Sequence, residues 1–579
     1  MAQFLDELKR RNVVKVGAAY AAAAWLLAQI VETVLPVFDL SGGMLRAVFI
    51  VLGLGFPVAL VLAWIYDLTP EGIQRTDDMP ESARGRRLTG RGLDFTIIGC
   101  LSVAVLFLIV DRYFWEPAAG EHVASIAVLR FDFEQITDDP KTAYLGDGIT
   151  DSLIMRLSRI PGLKVKSRSF IRDSNEDVQS IGQVLGVDAL CLGRLIQRGD
   201  ALEIVVELVD VLDGTVMWTN RLQRNVANLL SIESEVSAEI AQALKVELSA
   251  EEEEALARSP TDNPAAYRLY LQGRYFWNQR TEENLRRSVD FYRRAVDLDP
   301  DYALAWSGLG DAYLMLYGWG FESPTEIAPL VLAATNRAIE LDPTLAEPYA
   351  TLGYFKTIFE WDWDGAREAF LKAIELNDNY STAHHWYAFL LSTIGDSKGA
   401  IEEILKARDS EPLSPVITAE VGLFYIYDGQ YARAIEELQA AASFSPDHPS
   451  LKNGLMRVYA LNGQIEEALE MQRQFGNGYG DNAVGIGFGN MALVKLGMHE
   501  QARESYQYIL DASDTTYVMP AALGVLAASI GDRDAAFAHF EQALDEGAFV
   551  FSWLRDPLIA DIRDDPRYRE IFERAGLTP

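Results

Sequence analysis

Gly395-Asp-Ser-Lys-Gly-Ala400, Gly429-Gln-Tyr-Ala-Arg-Ala434, Gly463-Gln-Ile-Glu-Glu-Ala468, Gly497-Met-His-Glu-Gln-Ala502 and Gly531-Asp-Arg-Asp-Ala-Ala536 decide the fold of the C-terminal half of this chain. Each glycine lies 34 residues after the one before it, and each alanine keeps the same step. Glycine lets a chain leave a helix through left-handed backbone. An alanine five residues later is small enough for the next helix to pack closely on the last. Pro412 and Pro446 cannot continue a helix, so they mark the ends of repeats. A fixed period of this length predicts stacked helix pairs, each burying its apolar face on its neighbours.

The pattern extends toward the N-terminus with less regular spacing. Trp306, Leu309, Gly310 and Tyr313 fit the first helix of a pair, and Ala338 and Pro343 close that repeat after an insertion around Gly318–Thr325. Ala295 and Pro300 close the repeat before it, and Trp361-Asp-Trp carries a one-residue irregularity. Gly480, Asp514 and Ala548 replace the later prolines. The period resembles that of the tetratricopeptide family, with about eight repeats over 263–579 and a cap at Trp553–Leu577. That resemblance implies an all-α solenoid whose first helices line a groove for a protein or peptide partner. Projecting the register places Tyr354, His385, Phe389, Leu423, Tyr427, Asn453 and Arg457 on the groove. This mix suits an apolar or extended peptide with a few polar contacts. The family's clamp of Lys, Arg and Asn for terminal carboxylates is not found at its set positions.

Residues 123–248 read as one α/β domain, joined by a linker at 249–262 whose Glu251–Glu254 run suits a solvated face. Ser125-Ile-Ala-Val-Leu-Arg-Phe131 is β-branched and apolar enough for a buried strand. A helix is expected near Ile149–Ile160, a strand at Leu163–Arg168, a helix at Asp177–Leu185 and a closing helix at Leu229–Leu248. Strands are expected at Val187–Gln197, Leu202–Leu212 and Thr215–Arg224, with Gly199-Asp200 and Asp213-Gly214 at hairpin turns. Gly146-Asp-Gly148 lacks the Lys-Ser/Thr of a phosphate loop and the third glycine of a dinucleotide fingerprint, so it reads as a helix N-terminus. Ser125–Phe131, Gly146-Asp-Gly-Ile-Thr-Asp151, Ile160-Pro-Gly-Leu-Lys-Val165, Gly182-Gln-Val-Leu-Gly-Val187 and Asp213-Gly-Thr-Val-Met-Trp218 together resemble the TolB-like (FlgO-like) N-terminal domain.

Three apolar runs, about 13–38, 45–66 and 95–115, are long enough to be transmembrane helices. Lys9, Arg10 and Arg11 precede the first, and Arg75, Arg84, Arg86, Arg87 and Arg91 lie between the second and third. The short loop between the first two has no basic residue before Arg46 at its edge. This distribution puts the N-terminus in the cytoplasm and everything after Trp115 outside it, in the periplasm of a bacterial inner-membrane protein. Lys15 and Glu32, near the ends of the first span, read as snorkelling side chains. Leu5-Asp-Glu-Leu-Lys-Arg-Arg-Asn-Val-Val-Lys-Val16 and Leu68-Thr-Pro-Glu-Gly-Ile73 are similar to the membrane leader often joined to TolB-like domains. Relatives of that kind carry a cyclase or winged-helix domain ahead of the membrane, and neither is expected here.

Eleven Lys/Arg balance eleven Asp/Glu in residues 1–115, so the net charge of −33 sits in the remainder. A surface that acidic repels phosphates and argues against nucleic acid. Cys100 and Cys191 lie in an apolar run and a predicted strand, which disfavours a disulfide framework. His122, His384, His385, His448, His499 and His539 have no metal-ligand spacing, and adjacent His384 and His385 diverge by about 100° on a helix. Asp362 and Asp364 flank Trp363 and suit a turn better than a calcium site. No catalytic residue, metal or cofactor is expected. The sequence reads as a non-catalytic, membrane-anchored scaffold or sensor binding protein or peptide partners, with a homo-oligomer compatible. The alternative is a small-molecule or glycan receptor built on the α/β domain.

Overall fold

The computed structural model describes residues 123–578 apart from 136–143, 169–177, 199–200, 226–228, 247, 476–484, 487–488 and 490, together with residues 20, 24, 66–69 and 72–75. The chain forms two compact units, Met1–Gly120 and Glu121–Pro579. In the first, β1 (Tyr66–Thr69) and β2 (Gly72–Arg75) pair as an antiparallel hairpin. The runs 13–38, 45–66 and 95–115 otherwise fall almost wholly outside the described residues, and Tyr66 belongs to a strand and not to the end of a span. Among the described residues no helix is long and apolar enough to cross a membrane.

The second unit begins with a mixed sheet made of β3 (Ser125–Leu129), β4 (Asp132–Gln135), β5 (Lys164–Arg168), β6 (Ala189–Arg198), β7 (Ala201–Asp210) and β8 (Val216–Asn225). The order is β5-β3-β6-β7-β8, with β4 also alongside β6. β3 runs parallel to both β5 and β6, and β6, β7 and β8 form an antiparallel meander. A central parallel strand must be apolar on both faces. Ile126 and Val128 accordingly join a core with α1 (Tyr144–Leu157) and α3 (Leu229–Ala243), while Ala127 and Leu129 meet Ile181 and Leu185 of α2 (Val178–Leu185).

Two readings of this domain are corrected. β4 was not expected; the Phe131 ring lies over Gly193, where a Cβ would sit 2.2 Å from it, and the chain bends there before pairing again with β6. α1 begins at Tyr144, so Gly146-Asp-Gly148 lies inside the helix and not ahead of it. Gly148 serves packing, because a Cβ there would stand 3.1 Å from Leu271 of the first repeat. The Glu251–Glu254 run of the linker lies on a helix, α4 (Ala250–Ala257), in keeping with a helix face there, held by Arg156, which donates to the Leu256 carbonyl at 3.0 Å.

The solenoid follows as α5 (Pro264–Trp277) with α6 (Glu282–Leu298), α7 (Ala303–Gly318) with α8 (Pro324–Leu341), α9 (Glu347–Phe355) with α10 (Trp363–Leu376), and α11 (Ser381–Thr393) with α12 (Ser397–Ser410). It continues as α13 (Pro415–Tyr427) with α14 (Tyr431–Phe444), α15 (Pro449–Leu461) with α16 (Ile465–Phe475), α17 (His499–Ala512), and α18 (Pro520–Ser529) with α19 (Arg533–Asp545). The five periodic glycines have φ between +75° and +90°, and the five periodic alanines are fully buried.

Two earlier repeats hold a different residue in the glycine's place. Gly395 and Gly531 each precede the residue that caps the second helix, Asp396 and Asp532. The equivalent neighbours of the caps Thr281 and Asp362 are Arg280 and Trp361, with φ of +54° and +52°. A side chain in that conformation costs roughly 1–2 kcal/mol. Trp361 follows a π-helical turn at Lys356–Glu360, which accounts for the irregular spacing there.

Both rims of the concave face are occupied by the chain itself. Along the rim where the inner helices begin lies the α1–β5 segment. Arg159 pairs with Glu347 at 3.1 Å, Asn377 Nδ2 donates to Ser158 Oγ at 2.9 Å, and Lys166 pairs with Asp409 at 2.7 Å. Along the rim where they end runs the C-terminal segment, including α20 (Pro566–Arg574). Tyr317 Oη donates to the Ala548 carbonyl at 3.4 Å, Trp363 Nε1 to the Ala575 carbonyl at 2.8 Å, and Arg555 to the Thr393 carbonyl at 3.3 Å. The terminal cap therefore does more than shield α19, because it crosses back over repeats far earlier in the chain. The concave face is thus covered along both edges by the chain itself.

Candidate functional site

What remains between these two covers is a cavity of about 990 Å³. All seven residues projected onto the groove line it: Tyr354 from α9, His385 and Phe389 from α11, Leu423 and Tyr427 from α13, Asn453 and Arg457 from α15. The helical register brings them to one side, since inner helices of successive pairs lie adjacent. Tyr354 stacks obliquely on Trp386 and Phe389, with ring centroids 5.0 and 5.4 Å apart. Asp151, Ile154 and Met155 of α1 form one wall, and Val550, Ser552 and Trp553 of the C-terminal segment form another.

Arg457 is not available as the projection assumed. It forms a buried ion pair with Asp556 of the C-terminal segment, with side chains 4% and 0% exposed. Asn453 is 6% exposed and its Oδ1 accepts no hydrogen bond among the described residues. His385 is uncharged: burial, then the nearby Arg280 guanidinium, pull its pKa down to about 4. Its neighbour His384 points away and is satisfied by Glu403 at 2.6 Å and the Asp378 carbonyl at 3.0 Å. Asp362 caps α10 through Gly365 N–H and accepts from Lys356, which gives it a structural use.

Sequence reading missed the charges that define the cavity. Arg280 lines it, with its guanidinium 3.5 Å from the Trp277 ring centroid and in no ion pair among the described residues. Desolvation pulls its pKa down to about 10. Arg274 stands beside it, 3.7 Å from Asp151, whose Oδ2 also accepts from Asn278 Nδ2 at 2.9 Å. Deeper along α13, Glu420 lines the cavity without a hydrogen bond or ion pair among the described residues, and burial pushes its pKa up to about 7. Glu411 is raised by burial and accepts from Ser381. None of these residues carries a periodic mark. Arg280 replaces a glycine whose absence reads as a lapse in the repeat, and Glu420 falls in an otherwise apolar helix.

Cys191 is buried in the sheet with its thiol pushed up to about 12. Among the described residues no group of three or more His, Cys, Asp and Glu side chains could hold a metal ion. The cavity can bind and orient through opposed charges, amides and aromatic faces.

Residues 122–242 match a family model described as the HilA/YgeH-like transcriptional regulator, second domain, and residues 425–473 match a tetratricopeptide repeat model. The chain thus combines a mixed α/β domain similar to that regulator domain with an all-α tetratricopeptide region. A Rhizobium meliloti protein named "Putative adenylate cyclase 3" is 27% identical over 303 residues, covering 49% of this chain and 50% of that protein. Tetratricopeptide repeat protein 37 of Xenopus laevis is 25% identical over 178 residues, covering 30% of this chain and 11% of its own length. The chain spans half or less of these curated relatives. Among solved structures, Pseudomonas aeruginosa pilF is 18% identical, with a TM-score of 0.29 over 37% of this chain and 93% of that one. A tetratricopeptide protein of Thermus thermophilus is 16% identical, with a TM-score of 0.28 over 32% of this chain and 95% of that one. Tetratricopeptide repeats imply protein partners in general.

Proposed function

We propose that this chain is a non-catalytic receptor of the bacterial envelope, anchored by its N-terminal apolar runs, that closes its repeats and its α/β domain on a compact ligand. The observation that carries this reading is the shared cavity. Residues from six inner helices, one helix of the α/β domain and the C-terminal segment face one space. Its volume lies at the top of the roughly 300–1,000 Å³ typical of small-molecule sites. A ligand there touches both domains at once, so binding favours whichever arrangement of the two fits it best. The TolB-like resemblance and the membrane leader support an envelope location, with the N-terminus cytoplasmic and the repeats periplasmic. The similarity to a regulator domain supports a role in signalling. The groove's covered rims leave little room for an extended protein segment, so protein partners are assigned to other surfaces of the molecule.

Two measurements test this. Alkaline phosphatase fused after Ala118 and at the C-terminus should be active at both points; inactivity at both would move the receptor to the cytoplasm. The full-length protein in detergent should gain thermal stability from the dialysable fraction of an envelope extract. Leu423→Trp, which fills the cavity, should abolish that gain. A gain that survives in Leu423→Trp would place the ligand elsewhere.

A further inference from the structure

We infer that the cavity is built for a compact zwitterion, its carboxylate held by Arg280 and its ammonium by Glu420. This rests on the cavity being the ligand site. Two opposite charges face the same space, and neither has an ion-pair partner among the described residues. Buried or half-buried charges are normally paired, so each marks a place where a complementary charge would be favourable. Trp386, Phe389 and Leu423 line the same cavity and offer apolar surface suited to a ligand's uncharged middle. Asn453 adds an amide whose oxygen has no hydrogen-bond donor among the described residues, a feature that fits a ligand N–H.

Arg280 is held ready at some expense. Its left-handed backbone sits where later repeats use glycine, and stacking on Trp277 fixes the direction of the guanidinium. An outlier of this kind persists where the surrounding structure and the function require it. His385 beside it is uncharged, so it adds no second cation and can donate or accept a hydrogen bond. Arg274 is already turned to Asp151, so Arg280, which feels Asp311 and Glu411 through space but forms no ion pair among the described residues, is the cation left for a ligand at that end. At the other end Arg457 is ion-paired with Asp556 and acts on Glu420 only through space, so Glu420 keeps no ion pair of its own among the described residues. Short peptides with two free ends and ω-amino acids share this chemistry.

The test is titration calorimetry on the full-length protein with four probes: trialanine, N-acetyl-trialanine, trialanine amide and ε-aminocaproate. The free-ended probes should bind. Blocking either end of trialanine should weaken binding roughly ten- to a hundredfold, the worth of a charge-assisted contact. In Arg280→Gln the acid and amide forms should bind alike, and in Glu420→Gln the amine and acetyl forms should bind alike. Trialanine stronger than ε-aminocaproate assigns a peptide source; the reverse order assigns an ω-amino acid. Equal affinity for free and blocked ends, or no binding by any probe, would overturn the zwitterion. If the dialysable envelope fraction still stabilises the protein through Leu423, the cavity reading survives that failure. If it does not, both fall.

Discussion

Gly429 and Arg280 occupy one place in their respective repeats, and the difference between them separates two uses of one backbone conformation. Gly429 has φ +75° and nothing within 4 Å of where a Cβ would stand. Gly429→Ala should therefore report backbone strain alone, a loss of about 1 kcal/mol in urea unfolding. Ala434 is fully buried at the contact of paired helices, so Ala434→Leu should cost more, roughly 1–3 kcal/mol, by overpacking. A smaller effect for Ala434→Leu than for Gly429→Ala would mean that the pairing of α13 and α14 is looser than its geometry. At Arg280 the backbone penalty is already present and is offset in part by the stack on Trp277. Arg280→Gly relieves the one and loses the other, so stability should stay within about 1 kcal/mol of the parent while zwitterion binding disappears. Loss of both together would make Arg280 a structural residue.

At the scale of the element, the C-terminal segment is the part whose role the sequence concealed. The repeats were legible because glycine and alanine recur where a turn and a close helix contact demand them, and the seven cavity positions followed from that register alone. The segment's own contacts follow no period. Trp363 and Ala575 are 212 positions apart, and Arg457 and Asp556 are 99 apart. Such pairs depend on the superhelix curving back on itself, which no local pattern states. The same holds for β4, whose pairing with β6 depends on Phe131 settling over Gly193. Asp556 is fully buried and answers the Arg457 charge. Asp556→Ala removes the ion-pair partner of a buried guanidinium, which costs roughly 3–5 kcal/mol. Limited proteolysis should then cut between residues 547 and 577 well before the repeats are attacked. An unchanged cleavage pattern would show that the segment is held without that pair.

At the scale of the whole molecule, the acids buried where the α/β domain meets the repeats make stability depend on pH in an unusual direction. Glu233 of α3 is fully buried and accepts from Ser152 of α1 and Tyr267 of α5, while its Oε1 has no hydrogen-bond partner among the described residues. Burial pushes its pKa up from 4.5 to about 7 against the lowering influence of Arg156 and these hydroxyls. Burial likewise pushes Asp311 up from 3.8 to about 6 and Glu420 from 4.5 to about 7. An acid whose folded pKa exceeds its unfolded value contributes stability below the unfolded value and loses it as pH rises through the folded one. The fold should therefore weaken between about pH 4.5 and pH 7, with Glu233 alone accounting for about 3 kcal/mol. His385 works the other way: its depressed pKa removes stability as pH falls from 6.5 toward 4, which blunts the acid side of the same window. The acidic exterior adds to the loss at high pH through self-repulsion. Glu233→Gln keeps the side-chain shape and one acceptor while removing the ionisation. Urea unfolding at about pH 5 and about pH 8 should show the parent weakening across the interval and the variant weakening by about 3 kcal/mol less, the remaining loss belonging to Glu420 and Asp311. Equal losses in both would mean that Glu233 stays ionised in the folded protein, matched by Arg156 more closely than its burial implies.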